Sequence, residues 1–190
     1  MRIKRRRRRY GRKKNKIDKK TIQLCFFFAG LAAVILLGIG TAWCYGMKIS
    51  ITDEAMSPEI SKGDVVSLNR ISYKLGKPKR NDVIAFKVGE GDTNLYFVRR
   101  IAALPGEKVK ISNGSLYIDG EVSERASEGN IEEPGIAADE IALGEDEYFV
   151  LSDNINVGED SRLGSIGIVS QSQIEGKVFL KRSPGFGIVN

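Results

Sequence analysis

The 190-residue chain contains no histidine, only two cysteines and only one tryptophan. Without histidine, no Ser-His-Asp triad, Cys-His pair or histidine-ligated metal centre can be built. Both cysteines, Cys25 and Cys44, fall in one apolar run. The rest of the chain therefore has neither a disulfide nor a zinc ribbon, and its stability must come from packing. No cofactor and no metal are expected. Long amphipathic helical patterns are also missing after that run, which argues for a fold made of strands.

Charge is present but divided. Lys and Arg total 30 and Asp and Glu total 24, a net of +6. Residues 1–20 hold 13 of the bases and one acid, Asp18, a net of +12, so residues 21–190 carry −6. A basic tail on an acidic body is not the footprint of a nucleic-acid-binding face, and no nucleic acid is expected as a partner. From Leu24 to Tyr45 run 22 residues without a charge. At about 1.5 Å per residue they reach about 33 Å, enough for the roughly 30 Å core of a bilayer. Trp43 and Tyr45 close the run, where amphipathic rings favour the interface. The run is longer than the apolar part of a cleavable leader, and its aromatic end lacks the small residues of a cleavage site. The sequence thus predicts a basic cytoplasmic tail over 1–20 that contacts anionic lipid, a transmembrane anchor over 21–45 and an extracellular domain over 46–190. The positive-inside rule sets that single-pass topology in the cell membrane.

Residues 46–190 read as short β-rich runs between turns: 47–52, 64–68, 82–88, 95–101, 109–111, 116–118, 147–151 and 177–181. Asn113-Gly114, between two alternating runs, marks a hairpin, and Asp119-Gly120 a second turn. The fold class expected is mainly β, an antiparallel domain on one N-terminal helix. Residues 121–147 hold ten acids and one base and read as a solvated loop or, more sharply, as a dock for a basic partner.

Five ordered stretches stand out. They are Ala55-Met56-Ser57-Pro58, Gly63-Asp64-Val65-Val66, and Arg80-Asn81-Asp82 leading to Phe86. Arg99-Arg100-Ile101-Ala102-Ala103-Leu104-Pro105-Gly106-Glu107 follows, and Ser152-Asp153-Asn154 leads into Gly158-Glu159-Asp160-Ser161-Arg162. In this order they resemble the motifs of the type I signal peptidases, membrane-anchored serine proteases that remove signal peptides from exported proteins. The resemblance covers residues 21–182 and implies a signal-peptidase-like β domain. It also implies a nucleophile slot at Ala55, a general-base slot at Arg99 and an orienting slot at Gly158. A methyl group cannot attack a carbonyl, arginine keeps its proton where lysine can give it up, and glycine has no hydroxyl. Catalytic residues are therefore expected to be absent.

The frame around those slots is retained. Met56, Ser57, Pro58, Leu104 and Asp153 are expected to line a peptide-binding cleft, with Asp160 and Arg162 as a structural brace. Arg99 is expected to pair with Asp153 or another nearby acid. The resemblance extends to Gram-positive relatives that have also lost both dyad residues, are encoded with pilins and sortases, and are required for pilus polymerisation. It implies a catalytically inactive membrane protein that binds pilin, sortase or other exported proteins and assists their assembly. The alternative is an active signal peptidase with an atypical dyad. Its nucleophile would be Ser57, otherwise a turn hydroxyl, and its base Lys48, Lys87 or Lys108.

Overall fold

Beta-branched and aromatic residues fill the runs between turn signals, and twelve strands form from them among the described residues. The structure is a computed structural model that describes residues 18–45, 47–89, 95–123, 131–183 and 185–189. Most of the expected basic tail, residues 1–17, lies outside the described residues, as do 124–130 of the acidic stretch.

The N-terminal unit is one helix, Lys19–Tyr45, 27 residues long. It starts two residues before the expected boundary because Lys19 and Lys20 join its first turn. Its side chains through Ala42 are exposed. Among the described residues it is the one helix long and apolar enough to cross a membrane.

The second unit is built of β1 (Lys48–Ser50), β2 (Val65–Asn69), β3 (Val83–Val88), β4 (Leu95–Ala103), β5 (Lys108–Ser112), β6 (Ser115–Ile118), β7 (Glu121–Val122), β8 (Ile141–Ala142), β9 (Glu147–Leu151), β10 (Val169–Ser170), β11 (Ile174–Ser183) and β12 (Gly187–Ile188). The larger sheet runs β1-β2-β11-β3-β4-β9-β10, with β12 on β11, and the smaller runs β7-β6-β5-β8. Every pairing among the described strands is antiparallel. The fold is thus the mainly antiparallel β domain with an N-terminal apolar helix that the sequence pattern predicts.

Local chemistry explains the smaller sheet. Burial alternates along β5, placing Val109 and Ile111 inward and Lys108 and Lys110 outward. Asn113 and Gly114 take φ of 51° and 74°, the pair of left-handed residues that a tight two-residue hairpin needs. Leu116 then returns to the core face, opposite Ile111. The acidic stretch is not a loop throughout. It contributes β7, a 3₁₀ turn at Gly135–Ala138, β8 and the start of β9. Ile131, Ala137 and Leu143 are buried in the same cluster as Val109, Leu116 and Phe149. Apolar residues spaced among its acids fix the chain, while Glu121, Glu132, Glu133, Asp139, Glu140, Glu145 and Asp146 are exposed.

The strand that positions the site is β4, which is buried from Val98 onward between β3 and β9. Successive strand residues face opposite sides. Arg99 and Arg100 therefore enter the interior on both faces of one central strand, 1% and 5% exposed. Buried arginines require partners, and their partners define the candidate site.

Candidate functional site

Three segments meet around Arg99: the turn at 53–60, strand β4, and the loop that follows β9 at 152–160. Each of its three guanidinium nitrogens donates a hydrogen bond. Its Nη2 donates to Asp53 Oδ2 at 2.8 Å, its Nε to the Glu159 carbonyl at 2.5 Å and its Nη1 to the Val98 carbonyl at 2.6 Å. It also lies over the Phe97 ring, 5.4 Å from the centroid. Asp53 was not singled out by sequence. Its other carboxylate oxygen accepts from the Ala55 backbone N–H, so it closes the turn and receives the arginine together. Of the two partners expected for Arg99, Asp153 does not pair with it, and the other nearby acid is Asp53.

Asp153 is held by the neighbouring arginine instead. Arg100 donates from Nε to Asp153 Oδ1 at 2.9 Å and from Nη2 to Oδ2 at 2.7 Å, a bidentate pair. It also reaches Glu59 Oε2 at 2.5 Å and the Asn81 carbonyl. Burial would by itself lower its proton affinity, but the Asp153 and Glu59 carboxylates outweigh that and raise it. The pairing follows from the alternation of β4: Arg99 and Arg100 face opposite sides, so each takes the acid on its own side.

Ala55 is fully buried, and its carbonyl accepts from the Asn154 N–H at 2.8 Å. Gly158 lies directly against it. A Cβ built on Gly158 would overlap both the Ala55 Cβ and the Ser152 Oγ, and would lie 2.9 Å from the Ser152 Cβ. Ser152 thus fills the space that a side chain at position 158 would take. Its Oγ is buried and has no hydrogen-bond partner among the described residues. The three slot positions are therefore brought together, with a methyl, a buried and hydrogen-bonded guanidinium and a bare backbone where the resemblance implies a dyad and its orienting hydroxyl.

The expected cleft residues are placed unevenly. Met56 is fully buried in the core cluster with Ile51, Ile60, Val66 and Leu68, so it packs the body and lines no open cleft. Ser57 is half-buried in a turn in which its N–H donates to the Glu54 carbonyl, rather than in a strand beside Ala55. Pro58 is exposed, and Leu104 is half-buried against the cluster of Ile84, Phe86 and Ile101. Lys87 pairs with Glu175 and Lys108 with Glu140, while Lys48 is exposed on the edge strand β1. The lysine that reaches the 57–59 turn is Lys181, which the sequence did not mark. Its Nζ donates to the Glu59 carbonyl at 3.0 Å and pairs with Asp64.

Asp160 and Arg162 form a buried pair behind the site. Asp160 Oδ1 accepts from Arg162 Nε at 2.8 Å, and Oδ2 accepts from the Ser152 N–H at 3.0 Å. Arg162 also donates to the Ile155 and Glu133 carbonyls. Among the described residues no group of three or more ligating side chains could hold a metal ion. Among the described residues, the arrangement ties the 53–60 turn, β4 and the 152–160 loop together through Arg99, Arg100 and Asp160.

Comparison with known proteins gives a consistent picture. The family described as "Signal peptidase, peptidase S26" matches residues 20–182. A probable signal peptidase I-2 from Synechocystis is 27% identical over 164 residues, covering 81% of this chain and 71% of the relative. Signal peptidase IB from Staphylococcus aureus is 28% identical over 151 residues, covering 71% of this chain and 76% of the relative. A crystal structure of a signal peptidase I from Enterococcus faecalis is 30% identical, with a TM-score of 0.43, and covers 54% of this chain and 97% of that one.

Proposed function

The chain belongs to the signal peptidase family, and from that premise we propose that it is a catalytically silent member that binds exported proteins at the membrane without cutting them. One observation carries this reading. The Arg99 guanidinium, at the slot that the resemblance gives to the family's base, is 1% exposed and donates to Asp53, Glu159 and Val98, and Asp53 in turn accepts from the Ala55 N–H. Such a group cannot accept a nucleophile's proton. The helix Lys19–Tyr45 anchors the protein in the cell membrane, with the basic tail in the cytoplasm and the β domain outside. The partners are pilins, sortases or other exported proteins, met at the outer face, and extended segments of them add to an exposed strand edge of the domain. The assembly of pilins into surface polymers is the process it assists.

Deletion of the gene tests this reading. Loss of high-molecular-weight pilin polymer from the cell wall, with export of other proteins unchanged, supports it. Restoration by the native chain completes the test, and unaffected polymer after deletion removes the assembly role. The second reading, an active signal peptidase with an atypical dyad, is favoured by the relatives, which are named signal peptidase I-2 and signal peptidase IB. Its nucleophile would be Ser57. Cleavage of a signal peptide that disappears in Ser57→Ala would establish it.

A further inference from the structure

Away from the arginine-centred site, a cavity of about 390 Å³ opens beside the short helix Ser72–Leu75, lined by Ser72, Tyr73, Lys77, Lys79, Asp82 and Lys177 among others. Residues 21–190 carry a net −6, yet this cavity gathers three ammonium groups against one carboxylate. That carboxylate is already engaged by three donors. Asp82 accepts from Lys177 Nζ at 2.6 Å, the Tyr73 hydroxyl at 2.9 Å and the Lys79 N–H at 2.9 Å. Lys177 is thereby neutralised and forms part of the floor. The ammonium groups of Lys77 and Lys79 have no acidic partner among the described residues, so the residues lining the opening carry a net charge of +2.

The two free lysines are held in place by their backbones. Pro78 between them is buried, and the residue before a proline is restricted to extended conformations. Lys79 is tied to Asp82 in both directions, since the Asp82 N–H also donates to the Lys79 carbonyl at 3.1 Å. A ligand bridging them meets cations whose Cα positions are already fixed, which reduces the ordering cost of binding. Ser72 adds a hydroxyl to the same lining, and Leu75, 85% exposed, lies at the rim.

We propose that this cavity is a binding site for a phosphate-bearing anion, with Lys77 and Lys79 clamping its oxygens. Two residues with compact ammonium groups and one with a hydroxyl line the same opening, donors of the kind that phosphate oxygens accept from. The phosphate is carried either by a lipid headgroup or by a free phosphate ester. Only residues 46 and 47 separate the apolar helix from β1, so the headgroups of a membrane holding that helix are present at high effective concentration. The site is independent of whether the chain cleaves.

The test uses the full chain in phosphatidylcholine nanodiscs, in nanodiscs containing phosphatidylglycerol, and in phosphatidylcholine nanodiscs with added glycerol phosphate at matched ionic strength. Lysine acetylation rates are read residue by residue by mass spectrometry, with exposed Lys110 on β5 as the reference. Labelling of Lys77 and Lys79 slows about fivefold relative to Lys110, the effect of roughly one favourable cation-to-phosphate contact each. Lys77→Gln weakens the protection of Lys79. Protection only with phosphatidylglycerol assigns the lipid headgroup, and protection with glycerol phosphate as well assigns the free ester. Equal labelling in all three settings, or equal slowing at Lys110, overturns the proposal.

Discussion

Replacing Arg99 with methionine keeps most of its volume and removes its five donors. The Glu159 and Val98 carbonyls then lose their partner inside the fold. Each such unsatisfied group costs about 1–3 kcal/mol. Asp53 adds little, because its side chain is 39% exposed and can return to water. The contact with Phe97 is lost at about 0.5–1 kcal/mol. Relief of the arginine's own desolvation offsets part of the total. The expected net loss is about 2–4 kcal/mol, which for a chain of this size lowers Tm by about 6–12 °C. Arg99→Lys falls between, since one ammonium cannot span three acceptors placed around a planar fork. Asp53→Asn costs under about 1 kcal/mol, as expected for a pair whose acid is open to solvent. Differential scanning calorimetry of the full chain in detergent micelles gives the three transitions. If Arg99→Met melts within about 2 °C of the native chain, or Asp53→Asn loses more than Arg99→Met, the guanidinium is not what ties the three segments together.

Two further outcomes follow from the same geometry. Gly158→Ala is destabilising by about 1–3 kcal/mol through overpacking. Adding Ser152→Gly recovers only part of the loss, because the Ala55 Cβ still overlaps the new methyl group; full recovery in denaturant unfolding would show that Ser152 alone fills the space. Asp82 is held below the ordinary carboxylate range: burial alone would raise it, but hydrogen bonds from Lys177, Lys79 and Tyr73 and the lysine charge outweigh that. A lowered folded value means that its contribution is present at neutral pH and is lost as pH falls below about 4. Denaturant midpoints measured between pH 7 and pH 3 should fall with acid, and Asp82→Asn should flatten that slope.

Much of this was legible in the chain because it is local. Asn113-Gly114 fixed a hairpin, the uncharged run fixed a helix, and alternation along 108–118 fixed which residues face inward. Motif order alone marked Ala55, Arg99 and Gly158 as positions to follow, and the fold brings Gly158 against Ala55 and Arg99 onto the Glu159 carbonyl. What the sequence could not place were the partners. Asp53 and Asp153 are both acids near a slot, and only the opposite facing of Arg99 and Arg100 on β4 decides which arginine takes which. The role of Ser152 was hidden for a similar reason: its side chain occupies space left by Gly158, six residues later and across a loop. The acidic stretch misled because charge dominates its composition. Ile131, Ala137 and Leu143 come only every sixth residue, too sparse to trace a helical stripe or a strand alternation, although they converge on one cluster.

The central claim, a signal peptidase frame without its chemistry, is tested most directly by incubating the full chain in detergent micelles with a preprotein and following release of the mature protein by gel. The account predicts no cleavage above the preprotein alone, for the native chain and for Ser57→Ala alike. Cleavage at the signal peptide junction by the native chain, lost in Ser57→Ala, would contradict it.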